Sequence, residues 1–311
     1  MTFESVVRVL LTLGLTFVAA STSAQIAITG SSSRPTAAPT APDRDGNGSR
    51  GGARGGGNTA DSDTRLADVA EEFKFAVGAV VIVLPNEGAV PFGTAWAFEP
   101  NLFATNGHVV ELMAQLAQKH PDAAFFVAIN QRPDKRLRIT AAKGHPLYGK
   151  AQVRFDGRAT ELGGHDIGVL RTADAAPSHF KLASQPQLQA LRPGSRIAYL
   201  GFPMESLAMG NLDPQNPVAT MQSGIVTSLS DYFLGDGGYA NNRLLRHNLP
   251  SAGGASGSPI FTPDGVVVAI HFGGNHIAGI SDDGKAMERK ANASLINFAE
   301  RIDALDGVAR P

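Results

Sequence analysis

From residue 64 onward the chain alternates short apolar runs with turn residues, and two periodicities separate cleanly. A helical rhythm comes first: Leu66, Val69, Ala70 and Phe73 recur at helical spacing from Thr64, with Asp61 and Asp63 near the positive end of the helix they predict. The rhythm then shortens to strand length. Strands, separated by turn residues, are predicted over 79–84, 94–98, 102–105, 124–129, 137–141, 167–171, 197–201, 224–229, 244–248, 258–261 and 266–272. Helical spacing returns twice. Val109, Leu112, Met113 and Leu116 share a face after His108. Leu295, Phe298, Ala299, Ile302 and Leu305 predict a C-terminal helix over about 293–306, with Gly307 placed to cap it. Many short strands and a terminal helix, without regular strand–helix alternation or internal repeats, predict an all-β fold of antiparallel barrels.

The first 62 residues obey neither rhythm. Residues 1–24 read as a signal peptide: Arg8 precedes an apolar run from Val9 to Ala20, and small residues follow to Ala24. The run is short for a membrane-spanning helix, which needs about 20 apolar residues. Glu4 weakens the basic start, so an uncleaved segment acting as a membrane tether stays open. Either way the rest of the chain is expected to be exported, periplasmic or extracellular. Residues 25–62 are mostly Ser, Pro, Ala, Gly, Asp and Arg, a composition with too little apolar surface to offset chain entropy, and read as a disordered linker. Asp43, Asp45, Asn47 and Gly48 imitate the start of a calcium loop, but Arg54 stands where the bidentate Glu belongs. Arg50-Gly51-Gly52 and Arg54-Gly55-Gly56 lack the aromatic residues of a nucleic-acid-binding segment.

Composition narrows the chemistry. With 311 residues, 43% hydrophobic and 18% charged, the chain can bury a sizeable core. A formal net charge of −1 provides no long-range field toward nucleic acid. The absence of cysteine removes disulfides, thiolate metal sites and cysteine nucleophiles together. The remaining histidines show no metal-binding spacing, and nothing requires a cofactor.

Three segments carry reactive groups in the order His, Asp, Ser. Thr105-Asn106-Gly107-His108-Val109-Val110 sets a histidine at the start of a helix, where a general base or a plain capping residue are both at home. His165-Asp166-Ile167-Gly168-Val169-Leu170 sets a carboxylate before a buried strand, suited to orienting an imidazole or simply to closing a turn. Gly253-Gly254-Ala255-Ser256-Gly257-Ser258-Pro259 is a glycine-rich loop running into an apolar strand. Glycines allow neighbouring N–H groups to converge on one point, as an oxyanion hole requires; Gly254 and Ser256 N–H are the candidate donors, with the Ser256 hydroxyl beside them.

Together these segments resemble the three signatures of chymotrypsin-like bacterial serine peptidases. Gly93-Thr94-Ala95-Trp96-Ala97-Phe98 and His145-Pro146-Leu147-Tyr148 resemble the family's framing segments. The likeness runs from about residue 75 to the end. It implies two six-stranded antiparallel β-barrels, about 75–180 and about 181–290, with a catalytic triad of His108, Asp166 and Ser256 between them and polypeptides as substrates. Within the family, Pro217–Met221, Gly257–Phe261 and Ala269–Gly274 look most like the glutamyl endopeptidase (V8-like) branch. That likeness implies that Ser251 and His271 line a pocket for an acidic P1 residue. Phe272, Gly273 and Gly274 would pair with the substrate backbone. Ala255 replaces the aspartate that receives a new N-terminus in many animal relatives, and the short stretch after Ser256 leads one to expect no PDZ domain of the HtrA type. The alternatives are a catalytically inactive peptide-binding or chaperone-like module on the same fold, or an esterase using the same residues. The oligomeric state is not legible.

Overall fold

The computed structural model describes residues 59–85, 88–149, 151–155, 158–162, 164–204, 212–274, 276–280, 287–291 and 296–311. The expected signal peptide and nearly all of the expected linker lie outside the described residues. Helix α1 (Thr59–Glu72) leads into β1 (Val77–Leu84), β2 (Gly88–Glu99) and β3 (Leu102–Thr105). Helix α2 (Gly107–Lys119) precedes β4 (Ala124–Ile129), β5 (Arg136–Gly144), the paired β6 (Ala151–Phe155) and β7 (Arg158–Leu162), and β8 (Gly168–Thr172). Then follow β9 (Lys181–Leu182), α3 (Gln185–Gln189), β10 (Arg196–Gly201), β11 (Thr220–Ser230), α4 (Gly238–Asn241) and β12 (Leu244–His247). The chain finishes with β13 (Pro259–Phe261), β14 (Val266–Gly274), the paired β15 (His276–Ile280) and β16 (Met287–Ala291), β17 (Asn297–Arg301), and a 3-10 helix, Ile302–Gly307.

Two barrels result. The first closes in the order β1-β2-β3-β8-β5-β4, because β1 pairs with β2 on one edge and β4 on the other. The second runs β13-β10-β11-β12-β17-β14 and closes through the β13–β14 pairing, with β9 added in parallel along β14. This is the pair of six-stranded antiparallel barrels that the resemblance implies.

The unbroken apolar run of β1 has a physical cause. Val80, Ile82 and Leu84 point into the first barrel with Phe103, Val127 and Leu170. Val77, Ala79 and Val81 point the other way, into the larger core that also holds the second barrel. A strand buried on both faces reads as continuous hydrophobicity instead of alternation. Phe180 sits at the junction, 4.6 Å from the Phe73 ring of the segment after α1, 5.8 Å from Trp96 of the first barrel and 5.8 Å from Phe261 of the second.

The C-terminal helix expected over about 293–306 is not what forms. Asn297–Arg301 is strand β17, inserted between β12 and β14, so the second barrel extends past residue 290. Among the described residues of that span only Ile302–Gly307 is helical, and it is a 3-10 turn whose Ile302 and Leu305 are buried three residues apart. The helical spacing arose from a strand followed directly by that turn. The charged pair Glu300 and Arg301, both buried, hid the strand's apolar character.

Candidate active site

Helix α2 begins one residue before His108, and its first N–H groups lack intrahelical acceptors. Asn106, at the N-cap, offers no side-chain bond to them. Asp166 meets the need from 58 residues away: its Oδ1 accepts the His108 backbone N–H at 2.9 Å, and its Oδ2 accepts Nδ1–H of the His108 ring at 2.7 Å. One carboxylate thus caps the helix and fixes the imidazole tautomer, leaving Nε2 as a proton acceptor. Gly107 makes this approach possible, since a Cβ there would lie 2.9 Å from the Tyr148 ring and 3.2 Å from Asp166 Oδ1. Burial pulls the His108 pKa down, but the Asp166 charge, its hydrogen bond and the charge of Glu111 outweigh it, and the net shift is upward.

Ser256 arrives on the second barrel in the loop between Ala252 and β13. The N–H groups of Ala255, Gly257 and Ser258 are all engaged, by the carbonyls of Ala252, His271 and Ala255 respectively. Among the described residues the N–H groups of Gly254 and Ser256 have no acceptor. Gly254 and Gly257 adopt φ values of 87° and 90°, the left-handed region that favours glycine. Ser256 is partly exposed, and no hydrogen bond joins its Oγ to His108 among the described residues. Catalytic hydrogen bonds of this kind often tighten only when substrate is bound.

Thr94, fully buried on β2, ties this loop to the first barrel, a role its place in the sequence did not signal. Its N–H donates to the Ser256 carbonyl at 2.9 Å. Its Oγ1 donates to the Gly254 carbonyl at 2.8 Å and accepts the Phe202 N–H at 3.1 Å. The two carbonyls lie on either side of Ala255, so Thr94 anchors the serine loop to the first barrel at two points.

Below the loop lies a row of hydrogen bonds. The Leu249 N–H donates to His247 Nδ1 at 3.2 Å, which leaves the His247 proton on Nε2. That group meets His271 Nδ1 at 3.2 Å, and His271 Nε2–H in turn reaches Ser251 Oγ at 2.6 Å. Both rings are buried. Burial first, then the charge of His108, brings His271 down to about 3, and burial with the charge of His271 lowers His247 as well. With His271 neutral and both its nitrogens occupied, the group left to face a ligand is the exposed Ser251 hydroxyl. His247 was not anticipated; a lone histidine ending a strand carries no sequence signal of its own. Phe272–Gly274 continue β14 along β17, with a bulge between His271 and Gly273. On the opposite edge, β13 ends its pairing at Ile270, and the loop carrying Ser256 takes His271.

Among the described residues no group of three metal-ligating side chains converges, and no helix is long and apolar enough to cross a membrane.

A sequence model of the trypsin-like peptidase domain matches residues 93–270. No curated protein matches the chain. Similar solved structures include the HtrA-type protease AlgW with a decapeptide, at 16% identity and TM-score 0.47, covering 78% of this chain. The chain spans 65% of that protease's length. Deg5 matches at 14% identity and TM-score 0.47, over 78% of this chain and 91% of its own. An inactive form of Rv3671c from M. tuberculosis H37Rv matches at 17% identity and TM-score 0.44, over 77% of this chain and 87% of its own.

Proposed function

Because the chain belongs to the trypsin-like peptidase domain family, we propose that it is a serine endopeptidase working through His108, Asp166 and Ser256. His108 Nε2 takes the proton of Ser256 Oγ as that oxygen attacks the carbonyl carbon of a peptide bond. Asp166 holds the ring and stabilises the imidazolium. The tetrahedral oxyanion is received by the N–H groups of Gly254 and Ser256, each worth about 3 kcal/mol in comparable sites. Collapse breaks the C–N bond, His108 passes the proton to the leaving amine, and water then hydrolyses the acyl-enzyme by the same steps.

The observation that carries this reading is the two-point grip of Asp166 on His108, which leaves Nε2 basic. The unengaged Gly254 and Ser256 N–H groups supply the complementary half. A fluorophosphonate probe is expected to label the folded wild-type protein and to leave Ser256→Ala unlabelled; a folded wild type that resists the probe rules the activity out.

We further propose a preference for Glu or Asp at P1. The row His247–His271–Ser251 supports it: with the His271 proton committed to Ser251 Oγ, the serine hydroxyl is free to donate to a substrate carboxylate. A fluorogenic peptide panel should show acidic P1 residues cleaved fastest. Ser251→Ala should lower kcat/KM for them about tenfold, the worth of one hydrogen bond to a charged group. Equal rates across the panel would discard the preference and leave the peptidase reading standing.

A further inference from the structure

The turn that carries Asp166 is unusual. His165, just before it, has φ of 57°, a left-handed conformation that costs a non-glycine residue about 1 kcal/mol or more. Its carbonyl accepts the Ile167 N–H at 2.8 Å, closing a tight three-residue turn with Asp166 at the apex. Such a turn persists only when its surroundings hold it, and three contacts do so. Asn106 Nδ2 donates to the Asp166 carbonyl at 2.8 Å, and the His145 N–H donates to the Ile167 carbonyl at 2.9 Å. Both come from the first barrel. The third comes from the second: Tyr232, just past β11, accepts the His165 N–H on its hydroxyl at 3.1 Å. That hydroxyl donates to Glu300 Oε1 on β17.

We propose that Tyr232, backed by Glu300, is a positioning residue for Asp166, tying the aspartate's turn to the barrel that carries Ser256. The inference rests on the peptidase reading above for its consequence, though not for its geometry. Ser256 rides on the second barrel, whereas His108 and Asp166 ride on the first. Thr94 fixes the serine loop to the first barrel, and Tyr232 fixes the aspartate turn to the second, so the two ties cross the boundary in opposite directions. The fit at Tyr232 is close. A Cβ on Gly164 would lie 2.9 Å from the Tyr232 ring. The Tyr232 ring meets His165 edge-on at 5.4 Å, and His165 stacks on His145 at 4.5 Å. Beyond His145, a Cβ on Gly307 would lie 2.2 Å from its Nε2, so the C-terminal 3-10 helix closes the row. Glu300 is fully buried, its second oxygen has no partner, and burial raises its pKa to about 8. Burial outweighs the opposing Tyr232 hydrogen bond, Arg243 charge and His165 N–H, and the Asp166 charge adds to it, so Glu300 stands as a neutral acid behind the tyrosine.

The test reads the His108 ring directly. NMR titration of the imidazole, assigned by comparison with His108→Gln, should give a pKa above 6.5 in the wild type. In Tyr232→Phe it should fall by about half a unit, as the carboxylate swings from its best alignment. Glu300→Gln keeps an acceptor for the tyrosine hydroxyl and should titrate like the wild type. Gly164→Ala displaces the Tyr232 ring without altering its chemistry and should reproduce the Tyr232→Phe shift. In turnover, Tyr232→Phe should lower kcat about tenfold at unchanged KM, the signature of lost alignment in the transition state. A folded Tyr232→Phe or Gly164→Ala protein whose His108 titrates as in the wild type overturns the inference, whatever the enzyme does. A shifted His108 in a protein inert toward peptides and fluorophosphonate upholds the positioning role and removes the peptidase reading instead.

Discussion

Asp166 serves two donors on His108 at once, and that economy shapes what single substitutions do. Because the net pKa shift of His108 is upward, the proposed base is neutral only above the ordinary histidine range. The acid limb of kcat/KM for the free enzyme is therefore expected to have its midpoint above 6.5. Glu111→Gln, which removes a contributing negative charge, should move that midpoint down; a limb at or below 6.5 contradicts the assignment of His108 as the base. Thr94 poses the complementary case. In Thr94→Val the methyl groups fill the space, but the Gly254 carbonyl and the Phe202 N–H lose their buried partner. The cost should be about 1–3 kcal/mol in urea denaturation. Turnover should fall as well, because the loop carrying Ser256 loses one of its two anchors on the first barrel.

Helix α1 shows which force holds an element down. It bears two ion pairs to the second barrel, Asp63 with Arg196 and Arg65 with Asp264, and all four side chains are substantially exposed. Pairs of that kind contribute under about 1 kcal/mol. Its apolar face, Leu66, Val69 and Ala70, continues into Phe73, which stacks on Phe180 at the junction of the two barrels. Phe73→Ala should cost about 3–5 kcal/mol by the usual price of a buried aromatic. Asp63→Asn should barely move the transition, and thermal unfolding of the two variants compares them directly. β17 offers a second lesson at this scale. A strand that carries Asn297, Glu300 and Arg301 buried is stabilised by specific partners, among them Asp303 and the Tyr239 and Asn242 carbonyls for the Arg301 guanidinium. No apolar rhythm announces such a strand.

At the scale of the whole molecule, buried titratable groups decide how stability follows pH. His145 is lowered to about 4 by burial, with the charges of His165 and Arg243 adding to it; His271 is lowered to about 3; His165 and His247 are lowered as well. Below 6.5 the unfolded chain binds these protons and the folded one does not, so stability is lost as pH falls from about 6.5 toward 4. Glu300 acts in the opposite sense. Its folded value of about 8 lies above the ordinary carboxylate range, so its contribution is complete at acid pH and is lost as pH rises toward 8. The raised His108 is lost on the alkaline side too. Among the described residues the four lowered histidines outweigh the raised carboxyl below 6.5, and above it the raised Glu300 and His108 take over. The midpoint of urea unfolding should therefore peak near pH 6.5 and decline on both sides, and Glu300→Gln should flatten the alkaline side. A midpoint that climbs steadily to pH 8 in the wild type contradicts this account.

Local rhythm along the chain was enough to determine the strands of both barrels from 77 to 274, the helix after His108, and the three segments bearing His108, Asp166 and Ser256. Each is written in neighbouring residues, through side-chain period, turn chemistry and glycine placement. Tertiary structure alone decided that Asn297–Arg301 is a strand, that Thr94 anchors the serine loop, that His247 locks the tautomer of His271, and that Tyr232 reaches the turn before Asp166. Those features depend on hydrogen bonds between residues 24 to 160 positions apart. Such bonds leave no periodic trace in sequence, because what selects each residue is a partner that only folding brings near.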